Sequence, residues 1–288
     1  MFGIRSGKMR YKAFKINPYW MLILPLLLVI VQFYAYPILK VLWVSFTDPT
    51  PGLHNYQRLF TSGAIQRMLW RTLKICAITT FLSMFFGYIV AYMMTHVSNR
   101  HRVWMLLFIL VPFWVSVLAR AFSWLMLLHD GGLANTMLRE MGFITEPIHL
   151  VRNQLGVVTG MVHFMVPYAI LPLFANMQGI EQRLVTAARS LGAGPVRSFW
   201  YVFFPLSLPG IIGAGLLVFI LSLGFFVTPA ILGGGKTVMI AEYVSVQILQ
   251  VARWGVGAML AGVLLIFVGL LVVIMSRFIN IREMFGAT

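Results

Sequence analysis

The sequence predicts an all-α membrane protein with six transmembrane helices. Of the 288 residues, 60% are hydrophobic and 10% are charged, whereas a soluble domain carries about 25% charged residues. So few charges cannot cover a water-facing surface. Six apolar runs of about 20 residues or more are each long enough to cross the hydrocarbon core as a helix. They lie near Trp20–Val44, Leu73–Met94, Val103–Leu128, Leu155–Met177, Leu206–Val227 and Val256–Ser276.

The net charge of +15 does not indicate a nucleic-acid-binding protein, because no basic domain carries it. The basic residues lie mostly at the edges of the apolar runs, where they set topology and contact lipid headgroups. We therefore divide the chain into a basic tail over 1–19, a transmembrane domain over 20–276 and a second tail over 277–288. The expected environment is the lipid bilayer, and no nucleic acid is expected as a partner.

The charges of the loops predict the orientation. Six spans put both termini on one side of the membrane. On that side lie the two tails, the turn at Arg100 and Arg102, and the segment between spans four and five, which together hold many more basic than acidic residues. Cytoplasmic loops carry an excess of Lys and Arg. Both termini and this segment are therefore predicted to face the cytoplasm.

The segment between spans four and five, residues 181–211, contains small residues, basic residues and prolines, whereas the rest of the chain is almost continuously apolar. Leu184, Ala188 and Leu191 fall on one face of a short amphipathic helix. Beside them, the small side chain of Ala187 adds to that of Ala188 and leaves room for a partner to come close. A simple connection would need only a handful of residues, so this segment is predicted to present a structured docking surface.

The ends of that short helix are marked by glycine and proline. Gly192 and Gly194 break it, and Pro195 suits the first position of a second helix. Pro205 and Pro209 are expected to mark the place where the segment turns back into an apolar run.

This segment resembles the EAA loop of the membrane subunits of bacterial ABC importers. The family pattern is Glu-Ala-Ala, a Gly four residues after the second Ala, and Leu-Pro further on. The matching residues here are Thr186, Ala187, Ala188, Gly192, Leu208 and Pro209. Thr186 departs from the pattern: it keeps a hydrogen-bonding oxygen but lacks the charge of the usual Glu. The Ala pair and the Gly, on which the docking fit rests, are present.

The resemblance implies a permease of the type I ABC importer type, with a cytosolic coupling helix between spans four and five. It implies a cytosolic dimer of ABC ATPases that holds ATP and Mg, a second permease subunit, identical or homologous, and a periplasmic substrate-binding protein. It places the chain in a bacterial inner membrane, with no cofactor of its own. The residues that it implies for coupling to the ATPase are Thr186, Ala187, Ala188, Leu191, Gly192, Leu208 and Pro209.

Phrases elsewhere resemble the spermidine/putrescine branch of these permeases. The phrases are Pro-Phe-Trp at 112–114, Arg-x-x-x-Trp at 120–124 and Leu-Gly-Gly-Gly-Lys at 232–236. The resemblance implies a small solute, with a polyamine such as spermidine or putrescine as the best prediction. Relatives of this branch are assigned to opines, aminophosphonates and ferric iron, so these solutes remain open.

Candidate pathway residues are ionisable or aromatic groups in or near the spans, where ionisable groups are expensive and usually face a pathway or a partner. The carboxylates have the sign to bind an ammonium, and the aromatic rings can stack on one by cation–π contact. Alternatives remain, namely helix-to-helix or headgroup contacts for the cation and the imidazole, and interface belts for the aromatics. The candidates are Trp114, Arg120, Trp124, Asp130, His163, Tyr168 and Glu242.

Enzymatic chemistry is not expected in this chain. It has no P-loop and cannot hydrolyse ATP alone, its single cysteine Cys76 excludes a multi-cysteine metal site, and its histidines show no metal spacing. A secondary transporter or channel is the rival interpretation, but it would need intramembrane charges or an inverted repeat. A membrane scaffold would not need the structured segment.

The segments on the other side of the membrane are predicted to be partly helical. Residues 48–71 are predicted to form one interfacial amphipathic helix. A short helix is predicted from Leu133 to Met141. Residues 228–254 contain three consecutive glycines, which permit backbone conformations closed to other residues.

Overall fold

The computed structural model describes residues 19–278, with side chains over residues 23–276. The two predicted tails, 1–19 and 277–288, lie almost wholly outside these residues. All regular structure in the described part is helical. In chain order the helices are α1 (Tyr19–Ile30), α2 (Tyr36–Thr47), α3 (His54–Thr61), α4 (Gly63–His96), α5 (Asn99–Trp114), α6 (Val117–Leu128), α7 (Leu133–Glu140), α8 (Gln154–Gln178), α9 (Gln182–Ser190), α10 (Pro195–Ser198), α11 (Phe204–Leu223), α12 (Val227–Gly233), α13 (Ile240–Leu249) and α14 (Trp254–Phe278).

Five continuous helical segments within the described residues are long and apolar enough to cross a membrane, and a bent pair makes a sixth. The bent pair joins Asn99–Trp114 to the helices that follow it, at an angle of 96°. The number and the order of the predicted spans are therefore confirmed. The five segments are Ile23–Thr47, Gly63–His96, Gln154–Gln178, Pro195–Leu223 and Trp254–Ser276.

The third span is broken, whereas the sequence analysis predicted one helix over Val103–Leu128. The break falls at Val115 and Ser116, both of which have extended backbone ψ angles of 131° and 136°. Pro112 lies in the last turn of α5, where it removes one hydrogen-bond donor and its ring crowds the preceding turn. The chain therefore leaves the helix there and begins α6 in a new direction.

Two wide π-helical turns accommodate prolines inside the other spans. Residues Val31–Ala35 form the first turn and Phe199–Phe203 the second. Each turn ends two residues before a proline, Pro37 or Pro205. A proline inside a helix clashes with the carbonyl four residues earlier, and the wider turn moves that carbonyl away. The helix therefore continues past both prolines.

The predicted docking segment is consequently shorter than 181–211. Because the turn at Phe199–Phe203 absorbs Pro205, the chain is helical without interruption from Pro195 to Leu223. The connection between spans four and five therefore ends at Gly194. Leu208 and Pro209 lie inside α11, about 20 Å along the helix from Pro195 at 1.5 Å per residue. The prediction that they form the end of a loop was wrong.

The predicted interfacial helix over 48–71 is also divided. It consists of α3 and the first turns of α4, which meet at Ser62, where the backbone is extended. The Ser62 hydroxyl accepts a hydrogen bond from the Ile65 N–H at 3.5 Å, so Ser62 acts as the N-cap of α4. The second span therefore starts ten residues earlier than Leu73 and runs for 34 residues. The short helix predicted from Leu133 is confirmed as α7.

The core is built around the contact between α4 and α8, which is the most extensive helix pair, with α11 packed against both. Small residues let the two backbones come close. A Cβ atom at Gly87 would lie only 2.8 Å from Ala169 Cβ and 3.4 Å from the Ile170 backbone nitrogen. Both Ala169 and Ile170 are buried, so the position has no room for a side chain.

A buried polar contact joins the ends of the first and last spans. The Asn55 side chain donates to the carbonyl oxygens of Ser45 at 3.1 Å and Asp48 at 2.7 Å. The Asp48 carboxylate accepts a hydrogen bond from the Gly255 N–H at 2.6 Å. This contact ties α2, α3 and α14 together at the end of the molecule opposite α9.

We expect Gly87→Val to destabilise the protein, because its side chain would force α4 away from α8. Overpacking of this kind costs about 1–3 kcal/mol. Thermal unfolding of the detergent-solubilised protein measures the effect. Gly215→Val is the matched control, since nothing lies within 4 Å of a Cβ atom at Gly215, another helical glycine. Equal unfolding temperatures for the two variants would contradict the close approach of α4 and α8.

Candidate functional site

Helix α9 lies on the surface between spans four and five, and none of its residues is buried. Leu184 and Leu191 are exposed, and Leu191 keeps 89% of its accessible surface. Val185 and Ala188 are half-buried, with Val185 packed on the core. The predicted face of Leu184, Ala188 and Leu191 is therefore divided, because Ala188 turns towards the protein body. The free surface is formed by Leu184, Ala187 and Leu191.

The end of α9 has the geometry of a Schellman motif. Gly192 adopts the left-handed conformation, with φ of +89°, which a residue with a side chain adopts at a cost. Ala193 N–H donates to the Ala188 carbonyl and Gly192 N–H to the Arg189 carbonyl, the pair of bonds that defines this cap. Pro195 then opens α10, as the sequence predicted. The orientation of α9 is thereby fixed relative to the fifth span.

Thr186, which stands where the EAA pattern has Glu, lies on the exposed side of α9. Its hydroxyl donates to the Gln182 carbonyl at 3.0 Å, one turn earlier in the same helix. The hydroxyl oxygen therefore remains free only as an acceptor. The residue offers a neutral surface where the pattern offers a carboxylate.

An aromatic cluster joins α9 to the transmembrane core. Tyr92 of α4 lies against Phe199 and Phe203 in the π turn, with ring centroids 5.2 Å and 5.0 Å apart. Tyr88, one turn earlier, shares a hydrogen bond of 3.0 Å with the Ser207 hydroxyl. Val185 packs against the same core cluster. Helix α9 is therefore packed, through Val185, on the core cluster that joins α4 to α11.

This cluster was not predicted from the sequence. Its signal is the aromatic run at 199–204, but the prolines that follow this run favour a loop there. Only the continuation of the helix through the π turn places these rings against α4.

A second cluster lies beside the break in the third span and brings together four of the predicted pathway residues. Trp124 Nε1 donates to His163 Nδ1 at 3.1 Å. The Arg120 guanidinium carbon lies 4.3 Å from the centre of the Phe164 ring, and Tyr168 stacks on the same ring at 5.7 Å. Helix α6 supplies the cation and the indole, whereas α8 supplies the three remaining rings. An ionisable group beside a broken helix is typical of transport sites.

Phe164 is the centre of this cluster and was not predicted from the sequence. Its ring also contacts Phe225 at a centroid distance of 4.5 Å. Among the described residues, the buried Nε of Arg120 has no hydrogen-bond partner. The Phe164 ring thus faces a guanidinium group whose Nε makes no hydrogen bond to the described residues. Phe164 is one of 23 phenylalanines, and no sequence pattern distinguishes it from the others.

The other three predicted pathway residues lie elsewhere. Trp114, at the end of α5, is 91% exposed. Asp130 lies beyond the far end of α6, where both its carboxylate oxygens are 3.0 Å from His149 Nδ1. Glu242 is in α13, which is not one of the spans. The structure therefore does not gather the carboxylates with the aromatic cluster.

Glu242 is only 7% exposed, in the first turn of α13. Burial raises the pKa of its carboxyl group above the ordinary value, and a backbone hydrogen bond at Met239 lowers it by less. One carboxyl oxygen, Oε2, has no hydrogen-bond partner in the described part of the chain. The neutral acid is consequently favoured more than in water, which weakens this group as a binding site for an ammonium.

Residues 83–284 match the family of binding-protein-dependent transport system inner membrane components. The chain belongs to this family. The match begins in α4 and includes α9, the aromatic cluster and the broken third span. The protein is therefore a multi-pass inner-membrane permease component of an ABC importer, and its role is transport rather than catalysis. The resemblance stated from the sequence is confirmed.

Similar proteins come from several bacteria. The permease is 31% identical to the spermidine/putrescine transport system permease protein PotB of Haemophilus influenzae, over 85% of this chain and 81% of that protein. It is 30% identical to PotB of Escherichia coli K12, over 81% and 84%. It is also 30% identical to the sn-glycerol-3-phosphate transport system permease protein UgpA of Salmonella choleraesuis, over 73% of each chain.

Solved structures share the fold at low sequence identity. A bacterial alginate ABC transporter in complex with an alginate pentasaccharide-bound periplasmic protein gives a TM-score of 0.71 at 17% identity, over 94% of the permease and 95% of that chain. An amino acid ABC transporter with histidines gives 0.51 at 19% identity, over 78% and 95%. The predicted type I permease fold is confirmed.

We expect the contact between Arg120 and Phe164 to be measurable by a double-mutant cycle with Arg120→Met and Phe164→Leu. A cation–π contact of this geometry contributes about 0.5–2 kcal/mol, and the cycle isolates it from the effect of each single change. The measured quantity is the free energy of unfolding in detergent. Phe122→Leu is the control, because Phe122 lies on the same helix but is exposed. The control cycle pairs Arg120→Met with Phe122→Leu. If its coupling energy equals that of the Arg120 and Phe164 pair, the contact between Arg120 and Phe164 is contradicted.

Proposed function

We propose that this permease couples ATP hydrolysis to solute import through α9, which docks on a cytosolic ABC ATPase. The ATPase is a dimer that holds ATP and Mg, and a second permease subunit pairs with this one. A periplasmic binding protein delivers the solute. Both termini and α9 face the cytoplasm, and the tails 1–19 and 277–288 flank the transmembrane domain.

The observation that carries this proposal is the free apolar surface of α9. Leu184 and Ala187 are exposed on a helix that lies outside the spans, and Leu191 is exposed at its C-cap. Membrane insertion does not require such a surface, and exposed leucines on a water-facing helix are a liability unless a partner covers them. Thr186, beside them, suits a neutral contact where the EAA pattern has a charged one.

The contacts of α9 support its role in transmission. Helix α9 touches the start of the fifth span, and Tyr92 joins that region to α4. Arg102 Nε, near the start of α5, donates to the Met94 carbonyl at 3.1 Å. Movement of α9 would thus shift three spans as one body, as a rigid-body transition requires.

We predict that Leu191→Asp prevents docking of the ATPase, because a carboxylate in a desolvated interface is costly. The apparent affinity of the variant permease for the ATPase should fall at least about tenfold, which corresponds to about 1.4 kcal/mol. Co-purification of the co-expressed ATPase in detergent gives the measurement. A substitution at Leu191 tests docking alone, because Leu191 is exposed. A larger side chain at Ala188 would also disturb the packing of α9.

Leu249→Asp is the matched control. Leu249 is also a highly exposed leucine, at 77%, but it ends α13 at the other end of the molecule. The control should retain the ATPase. Retention of the ATPase by Leu191→Asp at the wild-type level would overturn the docking proposal.

We propose a polyamine such as spermidine or putrescine as the solute. The support is the identity of about 30% with two permeases that are named for these compounds. The aromatic rings of Trp124, Phe164 and Tyr168 suit an ammonium group by cation–π contact. The guanidinium of Arg120 already occupies the Phe164 ring, so a cationic solute must compete with it.

Arg120 is also the observation that favours a second candidate, a solute with an anionic group such as an opine or an aminophosphonate. Its Nε lacks an acceptor among the described residues. A carboxylate or a phosphonate would supply one and would form the stronger, charge-assisted bond.

ATP hydrolysis by the reconstituted complex distinguishes these solutes. The permease, its partner permease, the ATPase and the binding protein are assembled in nanodiscs and tested with spermidine, putrescine, octopine, 2-aminoethylphosphonate and ferric iron. The polyamine proposal predicts that spermidine or putrescine stimulates hydrolysis. Stimulation by octopine or 2-aminoethylphosphonate alone would replace it with the second candidate, and stimulation by ferric iron alone would overturn both.

A further inference from the structure

The turn between α12 and α13, residues 232–236, is held by two other parts of the chain. Arg71 of α4 donates from Nη1 to the Lys236 carbonyl at 3.0 Å. Arg152, just before α8, donates its backbone N–H to the Leu232 carbonyl at 2.7 Å. The backbones of three separate segments are therefore joined at this turn, and each segment brings a basic side chain.

Both the turn and the segment that contacts it contain residues with a left-handed backbone conformation. Gly234 and Gly235 have φ angles of +52° and +74°, and Arg152 itself has a φ of +57°. A left-handed conformation is uncommon for a residue with a side chain. A Cβ atom at Gly234 would lie 2.8 Å from Arg152 Cγ, so the Arg152 stem rests on the bare glycine. The arginine is thus placed by the backbone.

We call Arg71, Arg152 and Lys236 the outer basic patch. Arg152 and Lys236 are exposed, and Arg71 is half-buried. In the part of the chain that the structure describes, no carboxylate lies within 4 Å of any of these cations. Asp130 pairs with His149. The patch therefore presents positive charge that the described residues do not neutralise.

The patch lies at the opposite end of the molecule from α9. Arg152 precedes the first residue of α8, and α9 follows its last residue. With 25 residues in α8, the two surfaces are separated by about 37 Å at 1.5 Å per residue, roughly the thickness of a membrane. If α9 meets the cytosolic ATPase, the patch faces the periplasm.

We infer that the outer basic patch is a docking contact for an acidic surface of the periplasmic binding protein. The inference rests on the proposed function, which puts α9 in the cytoplasm. Charge complementarity carries it, since three cations with no carboxylate partner among the described residues fit a cluster of carboxylates. The exposed turn at Gly234 and Gly235 has no side chains and lets a protein surface approach the backbone.

An anionic lipid headgroup is the other possible partner of basic residues near a membrane. Lipid attraction requires only mobile cations close to the surface. The patch instead holds Arg71 by a hydrogen bond and Arg152 by a left-handed backbone, which is the arrangement expected for a rigid partner.

The test is a titration of the complete transporter in nanodiscs with the binding protein loaded with spermidine, with binding followed by interferometry at 50 and 200 mM salt. The variant combines Arg152→Asn with Lys236→Gln. Asn tolerates the left-handed conformation, so the backbone of the turn is retained. The control is Arg139→Gln, which removes one exposed charge from α7 at the same end of the molecule.

The inference predicts that the double variant weakens binding about tenfold at 50 mM salt and loses much of its salt dependence. Basal ATP hydrolysis and the control variant should remain at the wild-type level. Wild-type affinity in the double variant would overturn the inference. So would an effect that appears with phosphatidylglycerol nanodiscs and disappears with phosphatidylcholine, because the patch would then contact lipid.

If the proposed function itself is wrong, the wild-type complex binds neither the loaded nor the empty binding protein. This result differs from a loss of binding in the double variant alone. A binding protein that does not take up spermidine would contradict the polyamine assignment. The double variant is then compared with the wild type by titration with the empty binding protein.

Discussion

The packing of Tyr92 against Phe199 and Phe203 is the contact on which the coupling account depends. Those rings are in reach of α4 only because the π turn lets the fifth span continue past Pro205. Val185 joins α9 to the same cluster. A surface helix that would otherwise be a mobile connection thus becomes part of a rigid unit with two spans. Transmission across a membrane needs such a unit, because soft contacts would absorb the movement.

The broken third span positions a second set of contacts. Pro112 ends α5, and the new direction of α6 aims Arg120 at Phe164 and Trp124 at His163. A cation within a span is expensive unless it finds a partner, and here an aromatic ring provides one. The ring is thus occupied by a cation of the protein itself, and a cationic solute would have to displace the guanidinium to use it.

Much of the fold could be predicted because span length and apolar composition are local properties of the sequence. The six spans, the short α7 and the helix stop at Gly192 followed from such signals. The docking segment was predicted to be too long because Pro205 and Pro209 usually end helices, and the compensating π turn depends on the path of the whole chain. Arg120, Trp124, His163 and Tyr168 were predicted as separate candidates, whereas their meeting at Phe164 depends on how α6 packs on α8. Asp130 and Glu242 could not be assigned from sequence, since pairing and burial are tertiary properties.

The most direct test of coupling through α9 is site-specific cross-linking from Ala187→Cys to the ATPase in the assembled complex. The native thiol Cys76 is fully buried and does not compete for the reagent. The account predicts a cross-linked product of permease and ATPase from Ala187→Cys, and none from Leu249→Cys at the other end of the molecule. A complex that hydrolyses ATP and yields no product from Ala187→Cys, or yields one from Leu249→Cys, would contradict it.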